Sequence, residues 1–280
     1  MSQPAAHRHP GGFSSMENDY QDEPPEVFQR LTAADHARFH ALEMADYAED
    51  LPFYRHFLGQ NETILEAGCG DGRLGRRLAA FGHKVLGIDN SLVMLRLAAS
   101  HPAPGFAVAA MDMRRLAFSR PFSAAIIAHN TLNLLAGEEE ARQTLAACHA
   151  ALREDGRLLL HLFLPERPAP PVRRMQFKII PLPEGGRLLK EIIRHYPPGG
   201  ETVVLAERYK YRPGDGLGAQ NYRREMTLLA WPPERWRRLF CETGWGIRFF
   251  SSDAPERFPF AAGRALLAVL DKKSGIASSR

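Results

Sequence analysis

A glycine-rich stretch in the first third of the chain carries the clearest chemical signal. It reads ILEAGCGDGRLGRRL and covers residues 64–78. An apolar segment leads into three alternating glycines, Gly68, Gly70 and Gly72, and a helical pattern follows them. A glycine turn between a strand and a helix lets the backbone approach a nucleotide closely, with free N–H groups facing the ligand. The stretch therefore predicts a nucleotide-binding loop.

Two registers of glycine fit this loop, and they predict different ligands. Gly70, Gly72 and Gly75 spell G-x-G-x-x-G, which is typical of nicotinamide and flavin dinucleotides but is weak evidence alone. Gly68, Gly70 and Gly72 instead follow an acidic residue, Glu66. A carboxylate there would repel a pyrophosphate but would tolerate the ammonium and sulfonium groups of S-adenosylmethionine. In this second register Gly75 falls inside the helix, where it permits close packing.

Two further acids lie at the ends of the next two predicted strands. Asp89 ends the second strand, where a carboxylate can bind the ribose hydroxyls of either ligand. Asp112 follows the third strand, where it can accept a hydrogen bond from the amino group of adenine while a nearby backbone N–H serves the ring. Glu66 and Asp112 therefore favour S-adenosylmethionine over a dinucleotide, while Asp89 fits both ligands.

The elements that must position these residues alternate along the chain. Apolar patterns predict strands at 63–67, 84–88, 106–110, 122–128 and 157–164, with helices at 73–81, 91–100 and 138–152. Alternating residues separated by Gly and Pro turns then predict antiparallel hairpins, and a helix and two more strands follow. We therefore predict an α/β fold: a doubly wound, Rossmann-like, mostly parallel seven-stranded sheet with an antiparallel β insertion after strand five.

The domain organisation follows from composition and pattern. Residues 1–24 and 272–280 read as flexible tails, and residues 25–271 as one domain with a helical region before the first strand. The β insertion covers about residues 170–230. Hairpins of that total length are marginally stable alone, so we expect the insertion to pack on the main domain as a cover over the substrate.

The motifs resemble those of the class I S-adenosylmethionine-dependent methyltransferases, in particular their small-molecule subset. The similarity is carried by ILEAGCGDGRLGRRLAAFGHKVLGIDNS, MDMRRLAF and ALREDGRLLLHLF, and covers about residues 40–165 well and 230–270 loosely. Two departures, Glu154–Asp155 for Pro-Gly and Ser123 for Asp, leave the cofactor motifs intact. The resemblance implies S-adenosyl-L-methionine as cofactor, bound by Glu66, Gly68, Gly70, Gly72, Asp89, Asn90, Asp112, Met113 and Asn130.

The candidate catalytic and substrate residues rest on position and residue type. His129 follows strand four, where the family brings groups near the sulfonium, and its ordinary pKa suits a general base. A role in lining the pocket fits His129 equally well. Tyr54, Tyr211 and Tyr222 are candidate substrate-binding residues, with plain packing as the alternative. Cys69 reads as a small buried filler of the loop.

Composition narrows the function class further. Three scattered cysteines predict neither a disulfide framework nor a metal site, and no apolar run has the length of a membrane span. With no secretory pattern at the start, we expect a cytoplasmic protein. The net charge of +4 comes with recurring arginine pairs, which favour solvated faces over a nucleic-acid surface. The oligomeric state stays open, with a homodimer as one option.

The predicted function is methyl transfer from S-adenosyl-L-methionine to N or O of a small molecule by in-line displacement, in which the protein chiefly aligns the reactants. One alternative is an RNA or protein methyltransferase, which would show continuous positive charge around the cofactor mouth. Two others come from different classes: an NAD-dependent oxidoreductase, and a cofactor-binding protein without catalysis.

Overall fold

The computed structural model describes residues 26–119, 122–165, 174–216, 218–251, 255–258 and 265–273, and the predicted tail at 1–24 lies outside these ranges. The described chain begins with a short strand and two helices: β1 (Gln29–Arg30), α1 (Ala33–Met44) and α2 (Leu51–Phe57). The sequence had assigned this whole region as helical, but β1 finds a pairing partner in a strand of the insertion. Thr32 caps α1, because its Oγ1 accepts a hydrogen bond from the Asp35 N–H at 3.0 Å.

Strands and helices then alternate as the sequence predicts. In chain order they are β2 (Thr63–Ala67), α3 (Arg73–Ala80), β3 (Lys84–Asp89), α4 (Leu92–Ala99), β4 (Phe106–Ala110), β5 (Phe122–Ile127), a 3-10 turn (Thr131–Leu134), α5 (Glu138–Ala151) and β6 (Leu152–Phe163). The second half contains β7 (Arg174–Pro181), β8 (Gly186–His195), β9 (Thr202–Pro213), β10 (Gln220–Leu229), α6 (Pro233–Glu242), β11 (Trp245–Phe250) and β12 (Ala265–Lys272).

The larger sheet has seven strands in the order β11-β12-β6-β5-β2-β3-β4. The five strands from β6 to β4 are parallel, and β12 runs antiparallel to both of its neighbours. Every residue of β5 is buried, as a central strand with a layer on each face requires. Helices α5 and α6 pack on one face and α2 and α3 on the other. The predicted doubly wound sheet is confirmed.

The insertion forms a second sheet in the order β1-β10-β9-β8-β7, and strands β7 to β10 form an antiparallel meander. The predicted insertion after strand five, which is β6, is therefore confirmed. Asn133 joins the two sheets. Its fully buried side chain donates to the Leu229 carbonyl at 2.8 Å and accepts from the Phe163 N–H at 2.9 Å. These bonds hold the end of the meander against the end of β6.

Two strands extend beyond their predicted limits. β6 begins at Leu152, directly after α5, and so starts five residues before the predicted start at residue 157. β12 ends at Lys272, which the sequence had placed in the C-terminal tail. The buried Lys272 ammonium donates to the Leu152 carbonyl at 2.9 Å, which allows the long apolar stem to lie in the sheet. Within the described ranges, no helix combines the length and apolarity that crossing a membrane requires.

Candidate active site

A cavity of about 650 Å³ lies between the seven-stranded sheet, helix α1 and the inner face of the meander. The carboxyl ends of β2, β3 and β5 form one side, which is where open parallel sheets bind ligands. Helix α1 and strands β8 to β10 form the facing walls. The predicted site residues that line the cavity are Glu66, Gly68, Gly70, Asp89, Asn90, Asp112, Met113, His129 and Asn130.

The glycine loop after β2 is shaped for close approach. Gly68 has φ 76°, and a β-carbon on it would lie 2.2 Å from Thr131 Cγ2, so no larger residue fits. A β-carbon on Gly70 would meet nothing within 4 Å, because this residue borders open space. The Gly70 N–H donates to Asp89 Oδ2 at 2.9 Å, which fastens the loop to the end of β3.

Gly72 and Gly75 serve packing. Gly72 precedes α3 with φ 78° and is not among the residues that line the cavity, so its ligand contact stays a prediction. Its missing side chain makes room for Phe106, whose ring would lie 2.7 Å from a β-carbon. Gly75 lies inside α3, where a β-carbon would be 2.3 Å from the same ring. The third glycine of the dinucleotide fingerprint also serves close helix packing, so the packing of Gly75 does not distinguish the two registers.

Glu66 ends β2 as a buried carboxyl group beside the loop. Its Oε2 atom has no hydrogen-bond partner among the described residues. Burial raises the pKa of Glu66 to about 8, and the nearby Arg73 opposes that rise. The carboxyl group is therefore largely protonated at pH 7, and a cation bound beside it would favour its ionised form.

Asp89 and Asp112 end neighbouring strands, as predicted, and both already accept hydrogen bonds. Asp89 Oδ1 accepts from the Ser91 N–H at 2.8 Å, while Oδ2 accepts from the loop. Asp112 accepts from the side chain of Arg114 through Nε and Nη2, which lowers the pKa of Asp112. No pattern in the sequence indicates that Arg114 would bind this carboxylate.

His129 and Asn130 follow β5 in the left-handed region, with φ 47° and 67°. This conformation is uncommon for residues other than glycine, and it is often found at functional sites. The accessible surface of His129 opens into the cavity, and the rings of Tyr47 and His161 pack against the imidazole. That burial is the main reason why the pKa of His129 falls to about 4, with His40 and Arg73 adding to it. The imidazole is neutral at pH 7.

The three predicted substrate tyrosines do not line the cavity. Tyr54 is fully buried beneath the sheet, beside Phe53. Tyr211 hydrogen-bonds Glu184 at 3.0 Å on the far side of α1, and Tyr222 packs in the same cluster. Alternation along a strand shows that side chains share a face, but it cannot show which part of that face another element covers. In this structure α1 covers the part that contains Tyr211 and Tyr222.

The walls contain polar residues that the sequence reasoning missed. His36, His40 and Glu43 share one side of α1, and Lys190, Arg194, Glu207 and Arg224 come from the inner face of the meander. A signal was present, since these strand residues occupy alternate positions where a covered sheet face should be apolar. Charged residues at such positions indicate that this face of the meander lines a cavity. A simple assignment of each strand position as apolar or polar does not reveal this.

Lys190, Glu207 and Arg224 form a buried network in this wall. Lys190 Nζ lies 2.9 Å from Glu207 and 2.7 Å from Glu43, and Arg224 pairs with Glu207 on the other side. Burial opposes ionisation of Glu207, but Lys190 and Arg224 outweigh it and lower the pKa of Glu207 to about 2. Glu207 is therefore a fixed negative charge that cannot act as a base near neutral pH.

The whole fold is similar to solved sugar-modifying enzymes. The sugar N-methyltransferase KedS8 from Streptoalloteichus sp. ATCC 53650 superposes with a TM-score of 0.68 at 16% identity, covering 96% of this chain and 100% of that one. A second similar structure is the amino pentose methyltransferase CalS10 from Micromonospora echinaspora, solved with S-adenosylmethionine bound. Its TM-score is 0.62 at 23% identity, and the superposition covers 88% of this chain and 100% of that one. At these identities the likeness shows the fold.

The sequence supplies the deciding observation, because the family description of a methyltransferase domain matches residues 64–156. Residues 64–156 therefore form a methyltransferase domain. Two provisionally named methyltransferases share it. One from Geobacillus sp. (strain WCH70) is 38% identical over 101 residues, which are 35% of this chain and 41% of that protein. The other, from Bacillus subtilis (strain 168), is 31% identical over 121 residues, which are 42% of this chain and 49% of that protein. The match thus spans less than half the length of either relative.

The residues of this methyltransferase domain fit the cofactor of its class. Glu66 and Asn130 line the cavity, and their oxygen-bearing side chains suit a ligand with an ammonium group. Glu66 Oε2 and Asn130 Oδ1 are buried and lack partners among the described residues. The space over Gly70 would admit the methionine part of S-adenosyl-L-methionine. Asp89 stands at the carboxyl end of β3, where ribose hydroxyls would reach it.

Proposed function

We propose that the chain transfers the methyl group of S-adenosyl-L-methionine to a nitrogen atom of a small polar molecule. One observation carries this proposal: the cofactor-side residues after β2, β3 and β5 line the same cavity as the charged wall of the meander. A cofactor and a polar acceptor could therefore lie against each other within about 650 Å³.

The roles of the residues follow from their places around the cavity. Glu66 and Asn130 would hold the ammonium group, Asp89 with the adjacent Asn90 the ribose, and Asp112 with Met113 the adenine. When bound, the cofactor supplies an activated methyl group on a sulfonium sulfur. The protein must then align the acceptor with the methyl carbon and exclude water, and alignment of this kind is worth several kcal/mol, up to about 10.

The protonation states of Glu207 and His129 favour nitrogen over oxygen as the acceptor atom. Glu207 is fixed as an anion, and the pKa of His129 is about 4, so neither group suits the removal of a hydroxyl proton near pH 7. A neutral amine needs no deprotonation before the displacement, and its proton can leave afterwards. In this account His129 contacts and orients the acceptor as a neutral imidazole.

The likeness to enzymes named for amino pentose and sugar N-methylation supports an amino sugar or a related amine as the acceptor. The alternative of RNA or protein methylation gains no support from the described cavity walls, where carboxylates such as Glu43 and Glu207 alternate with the cations. A continuous positive surface is what an RNA substrate would require.

The test is release of S-adenosylhomocysteine during incubation with S-adenosyl-L-methionine and matched pairs of compounds, such as glucosamine with glucose. We expect release with amino members and none with their hydroxyl counterparts. Methyl transfer confined to hydroxyl compounds, or to RNA or protein, would contradict the proposal. The Asp89→Ala variant serves as the control for release that does not depend on the site.

A further inference from the structure

Three side chains that line the cavity contain a buried polar atom without a hydrogen-bond partner among the described residues: Glu66, Asn130 and Arg194. The first two present acceptors at the carboxyl edge of the parallel sheet, and the proposed cofactor site explains them. Arg194 presents a donor, Nε, on the facing wall of the meander. Buried donors of this kind normally have a hydrogen-bond acceptor. Arg194 therefore indicates an acceptor group on a ligand other than the cofactor.

The position of Arg194 is set by the strands around it. It lies on β8, two residues beyond Ile192, and pairs across the sheet with Leu205 of β9. Leu205 in turn pairs with Met226 of β10, and all of these side chains line the cavity. On the β9 side the guanidinium group is therefore bordered by apolar side chains, which strengthen an ionic hydrogen bond relative to water, while the cross-strand neighbour of Arg194 on β7 is Arg174.

The other cations of the cavity differ from Arg194. In the described part of the chain each of them has a carboxylate partner: Arg73 with Asp50, Arg114 with Asp112, Lys190 with Glu43 and Glu207, and Arg224 with Glu207. No ion pair of Arg194 is found among the same residues. Among the described cations of the meander wall, Arg194 therefore carries the positive charge that no carboxylate balances.

We propose that Arg194 binds an anionic group of the methyl acceptor, a carboxylate or a phosphate, on the wall opposite the cofactor. The inference rests on the proposed function and names the substrate class of the same cavity: an amine that also carries an acidic group. A planar guanidinium group with several N–H donors recognises either oxyanion, and its charge in an apolar setting gives a strong bond. Binding at this wall would leave the amine free to face the cofactor.

The test uses two simple anions as probes on the full chain saturated with S-adenosylhomocysteine. Inorganic phosphate and succinate are titrated separately by calorimetry or NMR into the native chain, Arg194→Met and Arg187→Met. Arg187 lies on the same strand and is exposed, so its replacement removes an equal charge outside the cavity. The two probes distinguish a phosphate-bearing from a carboxylate-bearing acceptor.

We expect at least one probe to bind the native chain and Arg187→Met equally, and Arg194→Met about tenfold or more weakly. S-adenosylhomocysteine affinity should be the same in all three proteins, which shows that the fold and the cofactor site are intact. Equal probe binding in native and Arg194→Met protein, or no saturable binding of either probe, would overturn the role of Arg194. Failure of S-adenosylhomocysteine to bind the native chain would instead overturn the proposed function.

Discussion

The Glu66 carboxyl group lies directly beneath helix α3, where Oε2 is 2.7 Å from the position that a β-carbon on Gly75 would occupy. The helix can cover this buried acid only because residue 75 has no side chain. The same glycine admits the ring of Phe106 from β4. One residue in the loop motif therefore controls packing, and the acid beneath it gives the site its preference for a cation.

Gly75→Ala should destabilise the fold although alanine is the better helix former. The new methyl group would lie 2.3 Å from Phe106 and 2.7 Å from Glu66 Oε2, and such overpacking typically costs about 1–3 kcal/mol. Urea unfolding measures the loss. Gly137→Ala is the matched control, because a β-carbon there meets nothing within 4 Å. Equal stability of the two variants would show that α3 moves away at no cost.

The protonation of Glu66 should make cofactor binding depend on pH. Burial raises the pKa of Glu66 to about 8, so below that pH the ligand-free carboxyl group holds a proton. An ammonium group beside it lowers the pKa, so binding releases a proton and affinity rises with pH up to about 8. Calorimetry of S-adenosylhomocysteine between about pH 6 and pH 8, in buffers of different ionisation enthalpy, measures both effects. Glu66→Gln should remove them; an unchanged slope would contradict this role.

Asp89 should contribute to affinity through the ribose hydroxyls. Its carboxylate also holds the Gly70 and Ser91 N–H groups, so a loss of affinity on mutation would not identify the contact. The contact is identified by comparing two ligands, with and without the 2′-hydroxyl group, in two proteins, native and Asp89→Asn. The native chain should bind S-adenosylhomocysteine about tenfold or more tightly than its 2′-deoxy analogue, and Asp89→Asn should lose most of that difference. An equal preference in both proteins would assign Asp89 to the loop alone.

His129→Ala should lower turnover far more than cofactor affinity. The neutral imidazole faces the cavity beyond β5, where it would orient the acceptor. We expect S-adenosylhomocysteine affinity within about twofold of native, and turnover of any amine substrate reduced about tenfold or more. His101→Ala, an exposed position after α4, is the control. Parallel losses of affinity and turnover in His129→Ala would instead place the residue in the cofactor site.

Local signals in the sequence were sufficient for most of the fold. β2 and β4 have the predicted bounds because an apolar run with a sharp glycine or acidic boundary leaves little choice of register. The cofactor side was also predictable, since parallel strands bring Glu66, Asp89 and Asp112 to one edge of the sheet. Secondary structure and topology therefore place these residues without side-chain detail.

The substrate side could not be predicted in the same way. Whether a tyrosine of the meander lines a cavity depends on where α1 lies, and α1 packs on Tyr209 and Tyr222 through Phe39. The residues of these strands that line the cavity are Glu207 and Arg224, the next positions on the same face of the sheet. That assignment depends on the docking of two elements that are distant in sequence, which no local pattern contains.

The central claim is that the loop beginning at Glu66 binds an S-adenosyl cofactor, and direct calorimetry tests it most simply. The chain is titrated with S-adenosylhomocysteine and, separately, with NAD⁺ under the same conditions. We expect saturable binding of S-adenosylhomocysteine at one site per chain and no saturable heat with NAD⁺. Binding of NAD⁺ without S-adenosylhomocysteine, or of neither ligand, would contradict it.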